Sequence, residues 1–340
     1  ACYDEATGTL CSADKAVQNS YLLFDGLHLT EAGQRIQADY YRAILGQLDG
    51  SAHDLPESMA HFALGKLDQS TARTRDARFA AWAAPVPQQG LSFSADAGVG
   101  SESGSLAGLG VGWSDGVDWT FRFDAARQGG GIGGVPGSSD FDGWSVVLSG
   151  ERRWGDFRLG ASVGRLSGGA TGFRTMPVAL MRADHEADVE GQFAEIAAGY
   201  VVERGALTIQ PAAWLRWSEV NVGRFTERGD TGLEMAFDGF STSGVVAGLG
   251  VDLRYAATDR ITPWLSVSWE EAISGFDGTL TGRLVDNSGR DITRAFDLGG
   301  GAGELRLGAD IDLGGATLGL AGWANTDSDA GAYARVSWLF

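Results

Sequence analysis

No stretch of this 340-residue chain reaches about 18 consecutive apolar residues, which excludes a transmembrane helix. Positive charge is scarce. Lys and Arg total 26 against 44 Asp and Glu, and a net charge of −18 excludes nucleic acid as a partner. Only two cysteines occur, Cys2 and Cys11, bracketing the turn-like Thr7-Gly8-Thr9. In an exported protein their expected use is a local disulfide, the alternative being two unpaired thiols in a loop. No nearby His or Cys extends them into a metal site, and neither a metal nor a cofactor is expected. No initiator Met or signal peptide opens the sequence, which starts ACYDEATGTLC, so the chain is expected to be the C-terminal piece of something longer.

Charged residues at 21% and apolar residues at 44% are ordinary proportions, which argues against disorder. Glycine is in excess. Its 52 occurrences are about twice the usual ~7%, concentrated after Gly90 together with most of the eleven Trp. The last ten residues, GAYARVSWLF, place Ala332, Ala334, Val336, Trp338 and Phe340 on one face of a strand, with Tyr333, Arg335, Ser337 and Leu339 on the other. The same alternation sets Val117, Trp119, Phe121 and Phe123 against Asp118, Thr120, Arg122 and Asp124. It returns in Ile261, Pro263, Leu265, Val267 and Trp269, where Trp264 interrupts the polar set. The pattern predicts twelve strands: 91–100, 105–113, 117–127, 142–153, 157–168, 190–203, 206–220, 241–256, 261–272, 300–313, 316–325 and 331–340. A soluble sandwich alternates too. Here the interleaved face is charged, as a lumen can be and a packed core cannot.

Connections come in two lengths. Short turns are expected at 114–116, 155–156, 203–205, 258–260 and 314–315, and long loops at 128–141, 169–189, 221–240 and 273–299. Such alternation suits an outer-membrane barrel, and an even strand count leaves both barrel ends of the chain on one side. Upstream, LPESMAHFALGKLDQSTARTRDARFAAW (55–82) lacks a wide apolar stripe. Pro56 and Glu57 suit a helix N-terminus, and 28 residues at ~1.5 Å each span about 42 Å. A polar helix of that length crosses a bilayer only inside a water-lined lumen, where Arg73, Arg75 and Arg78 could meet inward carboxylates. The alternative is a solvated interdomain helix. From about Leu55 to Phe340 the chain resembles a type V autotransporter, and the resemblance implies that the terminal aromatic is read by the outer-membrane assembly machinery. Gly108–Gly112 and Gly129–Gly134 read as strand and loop glycines rather than phosphate loops, since no helix signal or Lys-Ser/Thr follows. His185, with Asp184, Glu186 and Asp188, reads as part of a solvated acidic loop rather than a metal site. His53 and His61 read as ordinary surface or helix residues.

Between Tyr21 and Leu45 lies YLLFDGLHLTEAGQRIQADYYRAIL. Thr30 can cap a helix starting at Glu31, whose apolar face carries Ile36, Tyr40, Ala43 and Ile44. Asp25 and His28 precede it. A carboxylate that accepts from one imidazole nitrogen fixes the tautomer and leaves the other nitrogen for general-base work. The string D-G-L-H-L-T-E-A-G-Q resembles the last block of the GDSL (SGNH) lipases and esterases. That resemblance implies His28 as base, Asp25 as its orienting partner and Gly33 as the family's glycine at the helix start. The family's G-D-S-x-S nucleophile block and its oxyanion Gly and Asn blocks are absent from these 340 residues, so the piece by itself is expected to be inactive.

The expected fold is an all-β transmembrane barrel of about twelve antiparallel strands, with a helix through the lumen and an α/β-hydrolase-like (SGNH) remnant at the front. The expected domains are 1–50 for the remnant, 51–90 for linker and lumen helix, and 91–340 for the barrel. The expected function is an outer-membrane translocator carrying the end of a surface-displayed carboxylic ester hydrolase. Its partners would be outer-membrane lipid, the assembly machinery through Phe340, and an ester or lipid substrate, and the chain would be a monomer. The alternatives are a binding or adhesion autotransporter, or a plugged pore.

Overall fold

The structure, a computed structural model, describes the chain except residues 1, 5, 25, 26, 84–88, 102, 103, 177–180, 287 and 288. Twelve strands carry the alternation. They are β1 (Gly90–Gly100), β2 (Gly104–Ser114), β3 (Trp119–Gly131), β4 (Gly137–Trp154), β5 (Phe157–Thr175) and β6 (Arg182–Tyr200). Then follow β7 (Leu207–Val222), β8 (Phe240–Tyr255), β9 (Ile261–Gly275), β10 (Gly301–Asp312), β11 (Ala316–Asn325) and β12 (Ala330–Leu339). Each pairs antiparallel with its neighbours in sequence, and β12 pairs with β1 to close the barrel. The seam is fastened at its end by reciprocal backbone bonds, Leu91 N–H to Phe340 O at 3.2 Å and Phe340 N–H to Leu91 O at 2.8 Å. Both barrel ends of the chain therefore lie at the short-turn end, as an even strand count requires.

Among the described residues three helices precede the barrel: α1 (Lys15–Gln18), α2 (Glu31–Leu48) and α3 (Asp54–Ala83). A 3₁₀ turn, Ser51–His53, joins the last two, entered through Gly50 at φ 89°, where a side chain would be strained. Helix α3 starts at the loop end of the barrel, runs inside it against β4 to β7, and finishes near the short turns. The threaded arrangement agrees with the reading of 55–82, and the interdomain-helix alternative fails.

Membrane depth is marked on the outer face. On β4, Trp144 and Trp154 both point outward, with Val146 and Leu148 exposed between them. Ten residues at ~3.3 Å, tilted about 40°, give a band of about 25 Å, the height of a barrel's apolar belt. Trp113, Trp119, Phe121, Phe157, Tyr200 and Trp338 ring the short-turn end, and Trp144, Trp217 and Trp269 the other.

All four of the expected long loops prove to be something else. Residues 128–141 and 169–189 are mostly strand, because β4, β5 and β6 continue past the belt. Along that extension the faces exchange roles. Arg182, Asp184, Glu186, Asp188 and Glu190 of β6 point out, while Ala183, His185, Ala187, Val189 and Phe193 point in and are buried. The exchange runs straight across the sheet: Arg165 of β5 is in register with Gln192 of β6, and Gln192 with Glu219 of β7. Below that row the barrel is greasy outside and charged inside, and above it the reverse holds. The interior is thus ionic in its membrane half and largely apolar at its loop end, where Arg174 and Glu227 form a buried ion pair at 2.6 Å. Segments 221–240 and 273–299 also hold strands, Phe225–Thr226, Met235–Phe237, Asp277–Leu284 and Ile292–Asp297, which form a four-stranded sheet over that core.

Candidate functional site

Helix α3 divides into two halves. Its first half presents Leu55, Met59, Ala60, Ala63 and Leu67 to Phe141, Leu166, Val189, Phe193, Val220 and Phe237, all buried in one cluster. Arg294, from the covering sheet, pairs with Asp54 and reaches Glu57 at 3.3 Å, placing positive charge beside acidic residues of the first turn. His53 is fully buried there. Its Nε2 lies 3.0 Å from Ile292 O, its Nδ1 3.2 Å from Gly50 O, and its ring meets Phe237 edge-on. Burial pushes its pKa below the ordinary range. It is not the surface residue the sequence suggested. Nor is His185 a loop residue: it is a buried strand residue with Nε2 3.0 Å from Ser139 Oγ. His61 is exposed to the lumen.

The second half of α3 is ionic. Arg73 reaches Asp96 of β1 at 2.7 Å, and Arg75 reaches Glu195 of β6 at 3.1 Å and Glu270 of β9 at 2.6 Å. Arg78 reaches the other oxygen of Glu195 at 3.0 Å. Asp76 answers them, taking Arg306 of β10 and the Tyr333 hydroxyl of β12. From the wall, Arg216 returns to Asp68 at 2.6 Å and to Thr71 Oγ1 at 2.8 Å. Lys66 Nζ donates to Gly129 O at 3.1 Å. Paired, hydrogen-bonded charge is the form in which ions tolerate such burial. The inward arginine partnership read from the sequence is therefore present, with carboxylates on three different strands.

Near the helix's C-terminal end the wall reaches its carbonyls: Gln210 Nε2 donates to Phe79 O at 3.1 Å, and Arg153 donates to Ala81 O, one of the last four, which lack partners within the helix. Trp82 fills a hollow left by Gly199, where a Cβ would stand 2.4 Å from the indole. The lumen tryptophans are cation partners: Arg75 lies 4.5 Å over Trp214, and Arg254 lies 5.4 Å over Trp264, the residue that interrupted the polar face. On the other side of α3, towards β1 and β9 to β12, a cavity of about 950 Å³ remains, lined by His61, Asp68, Arg73, Glu270, Glu304 and Tyr333. Among the described residues no cluster of His, Cys, Asp and Glu could hold a metal.

In the N-terminal region Cys2 and Cys11 are joined. Asp25 lies outside the described residues. His28 is exposed, and its carbonyl accepts from Phe24 N–H at 2.7 Å while Leu23 pairs with Leu29. Thr30 Oγ1 accepts from Gly33 N–H at 3.1 Å, the cap expected of it, and donates to Tyr21 O at 2.7 Å. A Cβ on Gly33 would lie 2.4 Å from Leu22 O, so this contact requires glycine. Tyr40, Ala43 and Ile44 of α2 pack on Met176, Met181, Ala183 and Leu233 at the barrel tip. Ile36, Tyr41 and Leu45 remain exposed.

Sequence reading did not single out Lys66, Glu195, Arg216, Trp214 or Glu270. The signal was present: each lumen charge on a strand occupies the inward parity of an alternating segment, as Glu195 does between Phe193 and Ala197.

No curated protein matches the chain. Among solved structures, the translocator domain of the autotransporter NalP from Neisseria meningitidis is similar, with a TM-score of 0.65 at 15% identity, over 82% of this chain and 97% of that one. The β-domain of the Bordetella autotransporter BrkA gives 0.50 at 15% identity, over 74% and 99%. At such identity the likeness shows the fold alone. Residues 80–325 match the family model described as the autotransporter β-domain, and with that match, a closed twelve-stranded barrel and a helix threaded through it, the protein belongs to the autotransporter family as a translocator barrel.

Proposed function

We propose that this translocator carries the end of a GDSL-type carboxylic ester hydrolase and displays it at the surface of the bacterial outer membrane. The observation that carries the reading is the D-G-L-H-L-T-E-A-G-Q segment together with its local structure. Thr30 caps α2, Gly33 admits the close approach of Leu22 O, and His28 stands exposed beside the helix start. In the complete enzyme, His28 takes the proton of a serine hydroxyl as the serine attacks the ester carbonyl, and returns it to the leaving alcohol. Asp25 orients the imidazole and stabilises its charged form. The serine and the oxyanion donors are supplied by residues outside these 340. The exposed Ile36, Tyr41 and Leu45 support the reading, since a helix from an α/β domain needs a further layer to cover its apolar side.

In this reading residues 1–50 end the passenger, 51–90 link and thread it, and 91–340 form the barrel. The long-loop end faces the exterior, and Phe340 lies at the periplasmic side, where assembly machinery reads it. The substrate is an ester or lipid, and the chain works as a monomer. The test uses the complete protein, G-D-S-x-S block included, assayed on a p-nitrophenyl ester. His28→Ala should abolish hydrolysis while the barrel still migrates as a folded, heat-modifiable species. Full hydrolysis by that variant would overturn the assignment.

A further inference from the structure

The outer face of the twelve strands carries four arginines, and they divide into two kinds. Arg127, Arg165 and Arg182 lie towards the loop end, and each has a carboxylate: Asp142 at 2.6 Å, Glu190 at 3.1 Å and Asp184 at 3.4 Å. Arg152 lies at the opposite end, and no ion pair among the described residues includes it. Its guanidinium is held between two indoles, 5.0 Å from the Trp119 ring and 4.5 Å from that of Trp154, and its Nε is shielded from solvent without a hydrogen-bond partner. The nearby turn carboxylates are engaged elsewhere. Asp115 accepts the backbone N–H groups of Val117, Asp118 and Trp119 at 2.8–3.0 Å, and Asp156 accepts the Tyr200 hydroxyl at 3.2 Å.

Depth decides what such a group can meet. On β4, Arg152 is the outward residue next to Trp154 and in register with Trp119, so it lies in the aromatic girdle, with the apolar positions Leu148 and Val146 further along the same face. One step deeper is hydrocarbon, where an uncompensated guanidinium is expensive. At the girdle the available anion is the lipid headgroup. Stacking on the indoles orients the planar fork and leaves its donor edge for an acceptor of matching geometry, which a phosphate is.

We propose that Arg152, clamped by Trp119 and Trp154, binds the headgroup phosphate of a glycerophospholipid in the leaflet at the short-turn end. The test is native mass spectrometry of the 340-residue protein in detergent, titrated with phosphatidylglycerol, with heat-modifiable migration on gels as the check of folding. Wild type should retain one tightly held lipid. Arg152→Ala should weaken that binding about tenfold or more, as expected for loss of a charge-assisted contact. Arg152→Lys should fall between them, keeping the charge but not the stacked fork, and millimolar inorganic phosphate should leave the lipid in place. Equal retention in all three proteins would overturn the proposal, as would displacement by inorganic phosphate, which would mark a site for free anions.

Discussion

Glu195 of β6 holds Arg78 of the threaded helix at 3.0 Å through one carboxylate oxygen, while its other oxygen takes Arg75 at 3.1 Å. The pair is 117 residues apart in sequence and inaccessible to solvent on the Glu195 side. One carboxylate thus fastens two turns of helix to the wall. The helix is held mainly by ions where the barrel lies in the membrane and mainly by apolar packing where it rises above it.

Removing Glu195 leaves two buried guanidinium groups short of compensation. Glu195→Ala should destabilise the folded barrel by about 3–5 kcal/mol, the range for breaking a buried pair from one side. Urea unfolding followed by tryptophan fluorescence measures it. Arg127→Ala, which breaks an exposed pair on the outer face, should cost about 1 kcal/mol or less.

Gly199→Leu places a side chain where Trp82 now lies. The substitution should cost about 1–3 kcal/mol by overpacking. It should also expose the indole, seen as a red-shifted emission that is absent in Gly199→Leu/Trp82→Ala.

Deletion of residues 54–83 should convert a plugged barrel into an open one. Conductance in planar bilayers should rise well above that of the intact chain. The same deletion strips Phe141, Leu166 and Phe237 of the apolar half of α3, so the covering sheet should become sensitive to protease. Unchanged conductance would mean that the helix does not limit the pore.

Gly33→Ala should disturb the N-terminal region alone, since the added carbon meets Leu22 O. The expected outcome is faster proteolysis before Glu31, with the melting of the barrel unaltered.

His53 supplies a pH dependence with a definite sign. Burial lowers its folded-state pKa, so the unfolded chain binds the extra proton more readily. Its stabilising contribution is complete above the unfolded value of about 6.5 and declines as the pH falls below it. Between pH 7.5 and 5.5, wild type should lose more stability than His53→Asn, measured by thermal melting of each at both values.

Period-2 alternation is a local property, and it was enough to find all twelve strands, including the closing strand just before Phe340; the Thr30 cap and a 3.6-residue apolar spacing found α2. Alternation could not tell which set of residues faces inward once the outside solvent changes. Asp184, Glu186 and Asp188 looked like loop because charge on a strand's outer face is foreign to lipid, yet above the membrane that face meets water and His185 meets the core. The same limit hid the covering sheet, whose Met235, Phe237 and Ile292 acquire a reason to be apolar only with α3 beneath them. The sequence alone determined the barrel, because hydrogen-bond closure and alternating faces are written strand by strand. Only the tertiary structure decided where the interior turns from apolar to ionic and which carboxylate answers which arginine, because those choices join residues on different elements, from 23 positions apart for Arg73 and Asp96 to 230 for Asp76 and Arg306.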